Sequence, residues 1–324
     1  MKPGGAVIAL LGPTGVGKTS VGVQLAERLG VRVISCDSMQ LYRGFPVLTN
    51  QPTPQEQAAV THELVGVVEP GGCFSASQYA AMAWPLIDED LARRGWALVV
   101  GGTGLYLRAA VAPLEMAPAV DPEVRRRLER RVAQEGAAVL HAELSRLDPA
   151  AAAAIGPHNA RRLVRALEVV LSGGGAWSGR GDLWEPAYRH ATLTVGLTLE
   201  RAELYRRIDA RTPHIVEDGA EEVHRHLEVL PPTSCGREPP RAGIESAIGY
   251  REIRRYVEGE QGFDETVVQV AAATRRYARR QLTWLRKLRD AVIIDVHDRL
   301  PGEVADQILA LALSGQHTKE PLQG

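Results

Sequence analysis

Residues 6–20 read AVIALLGPTGVGKTS, and their order decides the fold. Ala6 to Leu11 form an apolar, partly β-branched run suited to a buried strand. Gly12, Gly17, Lys18 and Thr19 then fit the phosphate-loop spacing G-x-x-x-x-G-K-[ST]. The next residues repeat Val21, Leu25 and Leu29 at helical intervals before Gly30 stops the helix. Strand, glycine-rich loop and helix in this order make an anion cradle. Backbone N–H groups and the helix N-terminus converge on the ligand, Lys18 adds a point charge, and the Thr19 hydroxyl suits a magnesium ion. The pattern specifies phosphate, ordinarily that of a nucleoside triphosphate, and leaves the rest of the ligand open.

Working outward, VRVISCDS (31–38) and ALVVGGTG (97–104) read as further buried strands, and TLTVGLTL (192–199) as a return to the same sheet. Apolar runs alternating with helices predict an α/β fold with a parallel, P-loop NTPase-like sheet, whose ligands sit at the carboxyl ends of the strands. Gly15, Asp37 and Gly101–Thr103 lie at those ends and are expected to converge. From about residue 113 the character changes to prolines, a charged helix and alanine-rich helical sequence through RRLVRALEVVL (161–171). The expected organisation is a core of residues 1–114 and 191–315, a helical insertion over 115–190 and a flexible tail over 316–324. The chain after 199 reads as mostly helical, with a loop at 231–243.

Composition excludes several classes. Thirty-eight basic residues against thirty-nine acidic ones give a net charge of -1, so any nucleic-acid surface must come from local clustering. Cys36, Cys73 and Cys235 are odd in number and widely spaced, which argues against a disulfide framework or a cysteine zinc site and suits a reducing cytoplasm. The apolar run near the start is too short for a secretory or membrane segment, so no membrane association is expected.

Three features carry the chemistry. ALVV runs into GGTG with no acid, whereas a nucleotide hydrolase carries a magnesium-binding Asp after such a strand. Asp37 in ISCDS is the acid at a strand end; metal ligand, general base and helix N-cap are all open to it. The segment TRRYARRQLTWLRKLR (274–289) has seven basic residues and no acid. Arg276, Arg280 and Lys287 share one helical stripe while Ala278, Leu282 and Leu285 share another. A solvated surface helix accounts for that pattern; so does an RNA-binding face, with Tyr277 and Trp284 available for stacking. Arg161, Arg162 and Arg165 form a second basic cluster. His224 and His226 point about 200° apart on a helix and read as surface residues rather than ligands.

Taken in order, GPTGVGKTS, DSMQLYRG, LVVGGTGLYL, NARRLVRALEV, AIGYREI and RRQLTWLRK resemble the tRNA dimethylallyltransferases over about residues 6–290. The resemblance implies a P-loop core with a mobile helical insertion. It also implies transfer of a dimethylallyl group from dimethylallyl diphosphate to the exocyclic amine of the adenosine 3′ of the anticodon in tRNA. Gly12, Pro13, Thr14, Gly15, Val16, Gly17, Lys18 and Thr19 would wrap the diphosphate, with Mg2+ at Thr19. Asp37 would take the proton of the amine, and Ser38, Met39 and Gln40 would line the base pocket. Thr103 and Arg125 complete the implied catalytic set, Thr103 by contacting tRNA and Arg125 by stabilising the transition state.

Three segments would grip tRNA: Arg161, Arg162, Leu163, Val164 and Arg165; Ser246, Ala247, Ile248, Gly249, Tyr250 and Arg251; and Arg279, Arg280, Gln281, Leu282, Thr283, Trp284, Leu285 and Arg286. A monomer without an obligate protein partner is expected. Two departures stand out: Gln51 replaces a lysine usual in the family, and Glu245 and Ser246 occupy positions where residues such as Met and Gln are common. The competing readings are a P-loop small-molecule kinase using ATP, a noncatalytic RNA-binding protein, and prenylation of free adenine nucleotides.

Overall fold

A computed structural model describes residues 5–113, 121–178, 186–229, 243–315 and 318–319. The chain begins β1 (Ala6–Leu11), α1 (Lys18–Leu29), β2 (Val33–Ser35), α2 (Pro54–Ala59), β3 (His62–Glu63), α3 (Ala76–Arg94), β4 (Trp96–Gly101) and α4 (Gly104–Val111). Four helices follow, α5 (Pro122–Glu135), α6 (Ala137–Leu147), α7 (Pro149–Ala154) and α8 (Ala160–Leu171). The chain continues with β5 (Thr192–Thr198), α9 (Arg201–Val229), a 3-10 turn at Gly243–Ser246, α10 (Tyr250–Val257), α11 (Phe263–Leu285), β6 (Val292–Asp295) and α12 (Pro301–Ser314). Two compact units result: Met1–Pro113 with Leu183–Gly324, and Leu114–Asp182.

In the larger unit the strands form one six-stranded sheet in the order β3-β2-β4-β1-β5-β6. Every pairing is parallel, with Leu10 opposite Val100 on one side and Val195 on the other. Ile8, Leu10, Leu98, Leu193 and Val195 are fully buried, because helices cover both faces. Burying each such side chain contributes about 1.5–3 kcal/mol. Parallel pairing aligns the carboxyl ends of β1, β2 and β4, which sets the loops after them side by side. The smaller unit has its own core, in which Leu128, Leu140, Leu144, Ile155, Leu163 and Leu167 pack together.

Several expectations need adjustment. The strand expected over 31–38 is regular only at Val33–Ser35, and that expected over 97–104 ends at Gly101, since Thr103 already caps α4. β3 and β6 add two edge strands to what read as loop and helix. The basic helix starts at Phe263 and ends at Leu285, so Arg286 to Arg289 lie beyond it. His226 is buried against Phe45 and Tyr250, while His224 faces out and pairs with Glu228 at 3.3 Å. Opposite directions on α9 send one ring inward.

Cys36 is a buried free thiol, but Cys73 takes part in a disulfide, against the expectation from an odd cysteine count. Cys235 and nearly all of the loop expected at 231–243 lie outside the described residues, as does most of the tail over 316–324. Of that tail, Lys319 forms an antiparallel bridge with Thr192. Among the described residues no helix is long and apolar enough to cross a membrane.

Candidate active site

β1 delivers the chain into the phosphate loop, where Gly15 and Gly17 adopt φ of 87° and 99°. Side chains are strained in that left-handed region, and glycine is not. α1 starts at Lys18 without a side-chain cap, so its first N–H groups face the loop. Lys18 Nζ donates to Pro13 O at 2.9 Å. Burial pushes its pKa down to about 8, with Asp37 opposing the shift and Arg211 adding to it.

Thr14 is held from two sides. Its backbone N–H donates to Gln281 Oε1 at 2.8 Å, and its hydroxyl accepts from Arg211. Arg211 also donates to Asn50 Oδ1 at 3.2 Å, and burial lowers its pKa. This second cationic side chain of the site, on α9, was missed by sequence reading. No motif marks it, since RRIDAR reads as an ordinary amphipathic stretch.

The acceptor side is built after β2. Cys36 N–H continues the ladder by donating to Val100 O at 2.8 Å, and Asp37 follows at the strand end. Asp37 Oδ1 accepts from Met39 N–H at 3.0 Å, a local turn of the kind an Asp side chain favours. Burial pushes the Asp37 carboxyl above its ordinary value, and the bond from Met39 and the charge of Lys18 only partly offset it. Thr103 Oγ1 accepts from Ser38 N–H at 3.2 Å and is hydrogen-bonded to Tyr277. Asp37, Ser38 and Thr103 thus come together as expected from the strand ends.

Gln40 and Gln51 are largely structural. Gln40 accepts from Ser35 Oγ and donates to Asn50 O at 2.6 Å. Gln51, standing where the family usually has lysine, donates to Gln40 O at 3.1 Å and Tyr42 O at 2.8 Å, so it fastens the loop that carries the acceptor residues. Ser246 is exposed beside Met39, its hydroxyl 3.8 Å from the sulfur, which brings this second departure to the rim of the acceptor side.

α11 organises both halves. Gln281 Nε2 donates to Gly102 O at 3.0 Å while its Oε1 holds Thr14, so one buried amide joins the phosphate loop to the GGTG turn. A Cβ on Gly102 would lie 2.1 Å from Gln281 Nε2, and one on Gly104 would lie 2.4 Å from Trp284. At Gly104 the clash falls on the Trp284 ring, so glycine is required there; at Gly102 it falls on the end of the Gln281 side chain, which would have to shift.

The segments expected to grip tRNA are amphipathic, and their side chains divide accordingly. Leu163, Val164, Ala247, Tyr250, Gln281 and Leu285 are buried and pack inward. Arg161, Arg162, Ser246, Arg251, Arg279, Arg280, Thr283 and Arg286 are exposed. In the smaller unit Arg125 pairs with Glu129 at 3.1 Å and with buried Glu168 at 3.6 Å, and Arg165 pairs with the same Glu168.

Among the described residues no group of three or more His, Cys, Asp or Glu side chains could hold a metal. The Thr19 hydroxyl makes no hydrogen bond to another described residue, and one protein oxygen beside a diphosphate suits magnesium, which retains water and phosphate ligands. The site therefore sets a phosphate loop beside a carboxylate whose pKa burial raises.

Comparison with known proteins gives one consistent family. The IPP transferase family model matches residues 40–288. The tRNA dimethylallyltransferase of Thermomicrobium roseum is 41% identical, covering 90% of this chain and 86% of that one. Its counterpart in a Roseiflexus species is 40% identical over 93% and 94% of the two chains. Among solved structures, the full-length tRNA isopentenylpyrophosphate transferase of Bacillus halodurans has a TM-score of 0.67 at 35% identity, covering 96% and 97%.

Proposed function

Because the chain belongs to the IPP transferase family, we propose that it transfers a dimethylallyl group from dimethylallyl diphosphate to the exocyclic amine of the adenosine 3′ of the anticodon in tRNA, working in the cytoplasm as a monomer. The observation that carries this reading is the junction of a phosphate loop with a buried carboxylate, in which the charges of Lys18 and Asp37 act on one another.

The amine of adenine is a poor nucleophile, because its lone pair is delocalised into the ring. As its nitrogen bonds to the dimethylallyl carbon, the carbon–oxygen bond to diphosphate breaks and Asp37 takes the amine proton. General-base help of this kind contributes about 10²–10⁴ in rate. The loop N–H groups, Lys18 and Arg211 stabilise the charge left on the departing diphosphate. Thr19 would hold a magnesium ion, which would supply further positive charge for the leaving diphosphate. Ser38, Met39 and Gln40 line the base site, and Thr103 contacts the tRNA. The target base must leave its stack, at a cost of a few kcal/mol that cationic surfaces gripping the flanking phosphates offset. Arg161, Arg162 and Arg165 are assigned to that grip, and Arg125 to stabilising the transition state.

Incubating the protein with Mg2+, unmodified tRNA and dimethylallyl diphosphate, with ATP in a parallel reaction, tests the reading. Diphosphate release that requires tRNA is expected. ATP turnover with a small-molecule acceptor, and no prenyl transfer, would favour the kinase instead.

A further inference from the structure

We propose that an arginine-lined depression between the start of α9 and the middle of α11 is a second phosphate site, which holds a backbone phosphate of the RNA away from the reacting base. The proposal rests on the reading of the chain as a tRNA-modifying transferase.

The depression, about 280 Å³ in volume, is lined by Arg201, Tyr205, Ala272, Arg275, Arg276 and Arg279. Tyr205 arranges two of the cations. The Arg201 guanidinium lies 5.2 Å from the ring centroid and its Nε donates to the phenolic oxygen at 3.2 Å. The Arg275 guanidinium lies 5.9 Å from the same ring and pairs with Asp209. Among the described residues, Arg201, Arg276 and Arg279 form no ion pair with an acid.

Their neighbours behave differently. On the same helix as Arg201, Arg206 and Arg207 are both tied to Glu203 at 2.7 Å. In the depression four guanidiniums meet one carboxylate, and planar guanidinium forks match phosphate oxygens two at a time.

The depression is also distinct from the loop that holds diphosphate. On α11, Tyr277 and Gln281 turn toward Thr103 and Thr14. Arg275 and Arg279 each precede one of them by two positions, about 200° round the helix. A ligand that engages both flanks must wrap α11, which a polynucleotide does and a free adenine nucleotide does not. The site therefore favours RNA over the mononucleotide acceptor.

The test compares Arg201→Ala, Arg276→Ala and the double variant with the unaltered protein, measuring affinity for unmodified tRNA across salt concentrations. The slope of log affinity against log salt should flatten by about 0.7–0.9 for each RNA phosphate that the variant no longer neutralises. Arg201→Lys, which retains the charge, should restore most of the slope. Arg276 is exposed and makes no ion pair with a described residue, so its variant keeps the test valid if removing the Arg201 guanidinium from the Tyr205 ring disturbs folding. An unchanged slope beside intact tRNA-dependent diphosphate release would overturn the phosphate site and leave the proposed reaction standing. Absence of that release in the unaltered protein would overturn both. An unchanged tRNA slope with weakened calorimetric binding of inorganic diphosphate would assign the depression to free diphosphate and contradict the RNA assignment.

Discussion

Gln281 joins two loops that come from different strands; its bond to Gly102 O is buried and its bond from Thr14 N–H is partly so. Replacing it by leucine keeps the volume and removes the amide, leaving Thr14 N–H and Gly102 O without that partner. Each buried group so stranded costs about 1–3 kcal/mol. Gln281→Leu is therefore expected to lower the melting temperature and to raise KM for the prenyl donor, because Thr14 belongs to the diphosphate loop. Donor KM equal to that of the unaltered protein would count against the clamp.

The two charged groups of the site set a pH profile. Asp37 acts when deprotonated, and burial raises its pKa, so the rise in kcat/KM should come at higher pH than for an ordinary carboxylate. Lys18 acts when protonated, and its pKa lies at about 8, so activity should fall as pH passes through that value. A profile that is flat between about pH 5 and pH 9 would remove both assignments.

Among the elements, α11 illustrates what a sequence shows and what it hides. Its apolar stripe predicted inward packing, and Ala278 and Leu285 are indeed buried. Gln281 sits on that buried stripe, yet nothing local says that its amide meets a loop 267 residues earlier. Arg211 was hidden for the same reason: its partners, Thr14 and Asn50, are fixed by tertiary contact rather than by spacing. β6 was missed although Val292, Ile293 and Ile294 form a β-branched run, because the run is only three residues long and of its side chains only Ile294 is buried. By contrast the fully buried β1 and the loop after it were legible, since both the strand period and the phosphate cradle are local patterns. At this scale Gly104→Ala is the sharp test. Its methyl would meet Trp284 at 2.4 Å, and forcing α11 away from the turn is expected to destabilise the protein by about 1–3 kcal/mol, read by denaturant unfolding.

At the scale of the larger unit, the parallel sheet explains why the phosphate loop after β1, the acid after β2 and the turn after β4 meet. Their convergence was legible from strand ends alone. The chemistry was less so: Asp37 could have been a cap, and its carboxylate does organise a local turn through Met39. Burial beside Lys18 adds what a cap does not need, a carboxyl of raised basicity facing a phosphate loop.

The central claim is that Asp37 removes the amine proton while Gly12 to Thr19 hold the leaving diphosphate. Single-turnover transfer by Asp37→Ala, measured beside its affinity for tRNA, tests that claim most directly. Turnover should fall by about 10²–10⁴ with tRNA binding nearly unchanged. Turnover within a few-fold of the unaltered protein would contradict it.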